Sequence, residues 1–327
     1  MKTVGGNVKL STLLVGVTAS LALGFSVASS QPAPVPDESI PLRDNAPAAE
    51  TLKDSGPLIT GPKAKAATDI QVASTVKQGE VLKVRITEPA SGAQKAGTAA
   101  LAGHKANFFE QKDGSLLALI PVSVFQKPGS YPLSIYDSGK GLLKTLNVTV
   151  QNGWYRTQNV SVSKTTAGLQ PLPGEMEAIQ ALKDTVTPVK FWSEPFMSPT
   201  VDCQNSPFGV KRLHNGVATG DYHKGVDLRS PSGRPIHAIS GGKVQISKMY
   251  RLHGGTVGLD HGQGVGSIYI HMSRLNAQPG DTVKKGDVIG YVGSTGFASG
   301  PHLHWGLYVS GMPVNPNQWI KGVPKCN

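Results

Sequence analysis

The stretch Ser299-Gly300-Pro301-His302-Leu303-His304-Trp305-Gly306 decides the fold of the C-terminal part of the chain. Alternate side chains of a β-strand point to opposite faces, so His302 and His304 share one face while Leu303 and Trp305 turn towards a core. One face is polar and imidazole-bearing, the other apolar. The apolar pattern runs on to Val309, and Ser267 to Ile270 and Val288 to Val292 are further strand candidates. Glycine turns separate them, among them Gly254-Gly255, Gly262-Gln263-Gly264 and Pro279-Gly280-Asp281. No strand alternates with a helix in this region, which speaks against a parallel α/β domain and predicts an open antiparallel sheet or barrel from Val201 to Asn327.

Working outward, eight of the nine histidines lie after residue 201. His223-Lys224-Gly225-Val226-Asp227 sets an imidazole and a carboxylate four residues apart, on one side of a strand or of a helical turn alike. Two histidines and one aspartate meet the needs of a catalytic zinc site, which keeps three protein ligands and a water in the fourth position. With both His302 and His304 present there is one imidazole more than the metal requires. A spare imidazole, with an unperturbed pKa of ~6.5, suits proton transfer near neutral pH. His271, in Tyr269-Ile270-His271-Met272 at the end of another expected strand, is a second group of that kind. There is no His-Glu-x-x-His helix, so a scheme with a glutamate base does not apply. His214, His237, His253 and His261 adjoin turns and read as surface or turn residues.

These residues resemble the lysostaphin/LytM-type zinc endopeptidases, which cut the peptide bridges of bacterial cell walls. The resemblance covers about residues 206 to 320. It rests on Ser206 to Arg212, Tyr222-His223-Lys224-Gly225-Val226-Asp227, Gly241-Gly242-Lys243-Val244, Tyr269 to Met272, Gly290 to Gly296 and Ser299 to Gly306. It implies one zinc ion held by His223, Asp227 and His304, with His271 and His302 as catalytic histidines. It also implies a groove floored by a compact antiparallel sheet of the duplicated hybrid motif type, and peptidoglycan cross-bridges as substrate. The competing reading is a non-catalytic envelope module that binds peptidoglycan or activates a separate amidase. Relatives of that kind lack one or more ligands, and here none is missing.

The rest of the chain fits an exported, mainly β protein. Residues 1–30 carry Lys2 and Lys9, then the run Leu10 to Val27 without an ionisable side chain, then Ala28-Ser29-Ser30, which reads as a signal peptide rather than a retained membrane anchor. The expected destination is the periplasm or cell wall, with no stable membrane insertion after cleavage. Residues 31–68 hold seven prolines and read as a linker or pro-segment. Short alternating runs over 69–152 predict an immunoglobulin-like β-sandwich. Residues 153–200 read as a linker containing a helix over 175–186, and 201–327 as the metallopeptidase domain. In an oxidising compartment Cys203 and Cys326 are expected to pair.

Glycine at 39 and proline at 24 of 327 residues argue against long helices or a coiled coil. Thirteen Lys/Arg against six Asp/Glu from residue 201 onward make this part basic. Without a basic helix, an aromatic RNA-binding signature or a cysteine/histidine finger, the charge points to an anionic envelope polymer rather than to nucleic acid. The protein is expected to be a monomer.

Overall fold

The computed structural model describes residues 69–87 and 96–326. The leader 1–30 and the proline-rich segment 31–68 lie outside the described residues. Two sheets share one core between residues 69 and 151. The first runs Asp69–Val72, Val81–Thr87, Leu116–Pro121, Phe109–Glu110 in spatial order. The second runs Thr75–Lys77, Leu142–Gln151, Gly129–Asp137, Ala96–Leu101, His104–Asn107. Leu82, Val84 and Ile86 of the first sheet and Leu133, Ile135 and Val148 of the second are buried in one cluster. All pairings within these sheets are antiparallel except Thr75–Lys77 with Leu142–Gln151, which is parallel and brings together residues about 74 apart in sequence.

Leu116–Pro121 is apolar without alternation because both of its faces are covered. Ala118 and Ile120 face the shared core of the two sheets, while Leu117 and Leu119 join Val81 and Val124 in the cluster that also contains Trp192, Phe208 and Trp319. The first sheet and the C-terminal region therefore share a core. Paired hydrogen bonds seal it: Val81 N donates to Gln318 Oε1 at 2.8 Å and Gln318 Nε2 donates to the Val81 carbonyl at 2.9 Å.

The C-terminal region is built on a ten-stranded sheet whose main path is Gln204–Ser206, Val226–Leu228, Leu303–Val309, Val265–Leu275, Gly255–Gly262, Gly242–Met249, Thr282–Val283. The pairings in it are antiparallel, as the turn pattern predicts. Trp305, Tyr269 and Leu259 on its inner face are fully buried. Leu303–Val309 and Val288–Val292 fall where the apolar alternation places them.

On the opposite face lies the helix Glu175–Asp184, with Ile179 and Leu182 packed on Ile246, Ile268, Ile270 and Tyr308. It ends two residues before the expected Val186, because Thr185 is already extended and returns its N–H to the Leu182 carbonyl. Of the apolar residues along 175–186, Ile179 and Leu182 are buried while Met176 and Val186 are exposed, and the carboxylate-bearing Glu175 is buried as well. The segment read as a linker holds more structure than the helix. Its strand Thr157–Val160 pairs in parallel with Lys211–His214, which pairs in turn with Val217–Tyr222. No described helix is long and apolar enough to cross a membrane. Cys203 and Cys326 are joined in a disulfide, beside the bond from Cys326 N to the Gln204 carbonyl at 3.2 Å.

Candidate metal centre and its groove

Strand register assembles the centre. Asp227 stands directly opposite His304, and His304 directly opposite Ile270, so these side chains share the face away from Trp305. His223 precedes its strand and is tied by its backbone, donating to the Val210 carbonyl at 2.8 Å and accepting from Gly209 N at 2.9 Å. Gly225 between them has to lack a side chain. A Cβ there would lie 2.8 Å from His304 Nε2 and still closer to the Trp305 carbonyl oxygen.

His271 reaches the same face by a β-bulge. Tyr269 and Met272 both point into the core, so two residues rather than one must fit between them on the other face. The neighbouring strand advances only from Gly255 to Val257 while this one advances from Met272 to Tyr269. His271 is the extra residue and takes φ 66°, a left-handed conformation rare for a non-glycine residue. It is held there by its N–H to the His253 carbonyl at 3.0 Å.

The imidazole tautomers follow from acceptors that cannot donate. His223 Nδ1 donates to the Pro207 carbonyl at 2.9 Å, His271 Nδ1 to Thr295 at 2.8 Å and His302 Nδ1 to Gly300 at 2.8 Å. Each of these rings, when neutral, presents a bare Nε2. His223 Nε2, His304 Nδ1 and Asp227 Oδ1 form a triangle with all three sides 2.9 Å. Donors around a tetrahedral zinc ion are about 3.3 Å apart, so a small outward shift of each converts this triangle into three corners of such a site. Two imidazole nitrogens and a carboxylate oxygen are also the donor types zinc accepts. His302 Nε2 is farther out, 4.0 Å from Asp227 Oδ1, and its ring lies 4.8 Å from that of His271.

The electrostatics keep this set ready to bind a cation. Burial pushes the Asp227 carboxyl up, but the facing His223 and His304 imidazoles outweigh it and hold the group well below the usual carboxylate range. Arg212 adds a bond to Asp227 Oδ2 at 2.7 Å. Burial lowers the His304 pKa to about 4 and, with the neighbouring His302 and His304, that of His271 to about 3. Neutral imidazoles, the form that coordinates metal or accepts a proton, are thus favoured.

Residues 221–316 match the model of peptidase family M23. The chain carries an M23 domain. Over 112 residues it is 39% identical to the DD-carboxypeptidase/endopeptidase Mpg of Neisseria meningitidis, covering 34% of this chain and 26% of that protein. Over 111 residues it is 35% identical to the peptidoglycan DD-endopeptidase ShyA of Vibrio cholerae, with 34% and 26% covered. The chain thus spans about a quarter of the length of these curated relatives. A crystal structure from Pseudomonas aeruginosa assigned to peptidase M23 has the same fold, with a TM-score of 0.55 at 24% identity over 74% of this chain and 93% of that one.

The four histidines and the aspartate singled out in the sequence, His223, His271, His302, His304 and Asp227, all meet in the M23 domain's groove. Sequence reasoning missed several of their supports. Glu175, outside the matched stretch, accepts from Leu252 N at 3.0 Å and from both His253 N and His253 Nδ1 at 2.9 and 2.7 Å. It thereby fixes the loop whose carbonyl holds His271. Nothing in Pro173-Gly174-Glu175 signals a buried acid, because the first turn of a helix is an ordinary place for a solvated one. His253 is therefore more than a turn residue. His261 is a core residue, fully buried between the Gly241 carbonyl at 2.6 Å and Ser267 Oγ at 2.8 Å. The His214 ring lies 5.4 Å from that of Phe297, in the loop between Gly293 and Gly300.

Proposed function

We propose that this protein is an exported zinc endopeptidase that hydrolyses peptide cross-links of peptidoglycan. The single observation that carries the reading is the 2.9 Å triangle of His223, Asp227 and His304, with two further imidazoles beside it, inside an M23 domain. The names of the relatives supply the substrate class. In this reading His223, Asp227 and His304 hold one zinc ion. Bound zinc supplies Lewis acidity towards a carbonyl and lowers the pKa of a coordinated water to ~7.

The remaining chemistry belongs to the chain. His271 and His302 present bare Nε2 atoms that accept the proton of the attacking water and return it to the leaving amine. Their anchored Nδ1–H groups keep both rings aimed. Arg212 fixes Asp227, leaving Oδ1 to the cation. Residues 1–30 act as the signal peptide, 31–68 as a spacer, 69–152 as an accessory β-sandwich domain, and 201–327 as the peptidase domain, joined through 153–200. The protein works as a monomer in the periplasm or cell wall.

Purified full-length protein, stripped with a chelator and reloaded with zinc, tests this on cross-linked sacculi with mass analysis of the products. Zinc-dependent appearance of new amino and carboxyl ends within the peptides is expected. Soluble products ending at the sugar would mark an amidase instead, and no metal-dependent product would remove the enzymatic reading.

A further inference from the structure

Three of the four tryptophans, Trp192, Trp305 and Trp319, are buried, whereas Trp154 is 82% exposed. Its backbone also sits in the left-handed region at φ 54°, which strains a bulky residue and suits a glycine. The flanking residues hold it there. Trp154 N donates to Asn152 Oδ1 at 2.7 Å, Gly153 N donates to Gln78 Oε1 at 2.9 Å, and the Tyr155 hydroxyl donates to the Gln78 carbonyl. The Tyr155 ring fills a slot between glycines: a Cβ at Gly153 would lie 2.5 Å from it, and one at Gly209 closer still. A strained indole that packs on little of its own chain points to use by a ligand.

The indole borders a hollow of about 520 Å³ beside the metal groove. Phe125, 66% exposed, stands in its wall with its ring 5.3 Å from that of Tyr222. Arg156 and Lys211 also line it, both exposed and without an ion pair among the described residues. No carboxylate lines the hollow, and Asn152, with Oδ1 engaged, has its NH2 group left to donate. The surface thus combines flat apolar rings with hydrogen-bond donors. A matching ligand has apolar faces edged by acceptor oxygens. The pyranose ring of an acetamido sugar has that form, since its C–H face packs on an aromatic ring while its hydroxyl and acetamido oxygens accept from cationic and amide donors. A polyanion without such faces would use the two cations and leave the rings in water. Tyr222, the neighbour of His223 in the chain, lines both this hollow and the one that reaches His271 and His304. A sugar held here can therefore remain joined to a peptide lying in the groove.

We propose that the hollow between Phe125, Trp154 and Tyr222 is a saccharide subsite that binds the glycan strand of peptidoglycan through its acetamido sugars. The proposal rests on the peptidoglycan reading for the source of that glycan.

The test uses full-length protein with three separate probes: peptide-free glycan strands, freed stem peptides and polyglutamate. Binding is read by calorimetry and by iodide quenching of tryptophan fluorescence, which reports on Trp154 because the other three indoles are buried. Glycan strands are expected to bind and to shield Trp154 from iodide, and the other two probes are not. Phe125→Ala and Trp154→Gly should each weaken glycan affinity by about tenfold, and Trp154→Phe should keep most of it. Because glycine suits φ 54°, Trp154→Gly should melt close to the wild type, which separates lost binding from lost fold. Absence of glycan binding by the wild type, unchanged affinity in both Phe125→Ala and Trp154→Gly, or shielding of Trp154 by peptides or polyglutamate in place of glycan overturns the proposal. Glycan binding by zinc-loaded protein that leaves sacculi uncut would sustain the subsite and count against the endopeptidase reading.

Discussion

His271 occupies a conformation that most side chains avoid, and what it gains is a place on the face where His304 and Asp227 already stand. Its replacement by alanine is expected to leave zinc content unchanged and lower turnover by about a hundredfold or more, a combination that metal analysis beside a rate assay would reveal. Arg212→Met is expected to do the reverse, weakening zinc affinity by roughly tenfold to a hundredfold through Asp227, as read by competition with a chelator. His261 carries a different prediction. Burial holds its pKa down at about 4, against 6.5 for an imidazole in water. Below pH 6.5 the unfolded chain takes up a proton that the folded one refuses, so stability present above that pH is lost as pH falls towards 4, by roughly 3 kcal/mol in full. Denaturant unfolding at pH 7 and pH 4 should show a smaller loss in His261→Asn than in the wild type. At this scale the alternation around His302 and His304 was legible because a two-residue period is a local property. The bulge that brings in His271 was not, because it depends on how far the neighbouring strand advances between Gly255 and Val257.

Among the elements, the short strand Val226–Leu228 crosses beneath His304 with no room to spare. Gly225→Ala would drive a methyl group into that ring and the Trp305 backbone, and is expected to reduce zinc binding while the inner face of the sheet stays packed. The helix Glu175–Asp184 is tied to the groove by a carboxylate. Glu175→Ala would leave the backbone amides of residues 251–253 without their acceptor, at about 1–3 kcal/mol. Lower resistance to denaturant and a fall in turnover without loss of metal should follow. Strands such as Leu303–Val309 were readable from their own residues. The parallel pairing of Thr157–Val160 with Lys211–His214 was not, since a polar four-residue segment shows no period and its partner lies some fifty residues away. Glu175 escaped notice for the same reason: a buried acid is recognisable only from the amides that converge on it.

For the molecule as a whole, Cys203 and Cys326 are 123 residues apart in sequence. In the chain-entropy model a loop of that length is worth up to ~4–5 kcal/mol, so reduction should lower the melting temperature measurably while leaving zinc content in the cold unchanged. The domain-scale expectation of a sandwich followed by a linker and a peptidase came from composition and turn spacing. Those cannot reveal that Leu117 and Leu119 face Trp192 and Trp319 rather than water.

That shared apolar layer bears on any attempt to isolate the peptidase. A fragment beginning near residue 190 would retain Trp192, Phe208 and Trp319 but lose Val81, Leu117, Leu119 and Val124, which cover them. The cut surface would be greasy and aromatic, prone to stick to other copies or to the wall material itself. Apparent gains or losses of activity on trimming the N-terminal sheets would then report on clumping as much as on regulation.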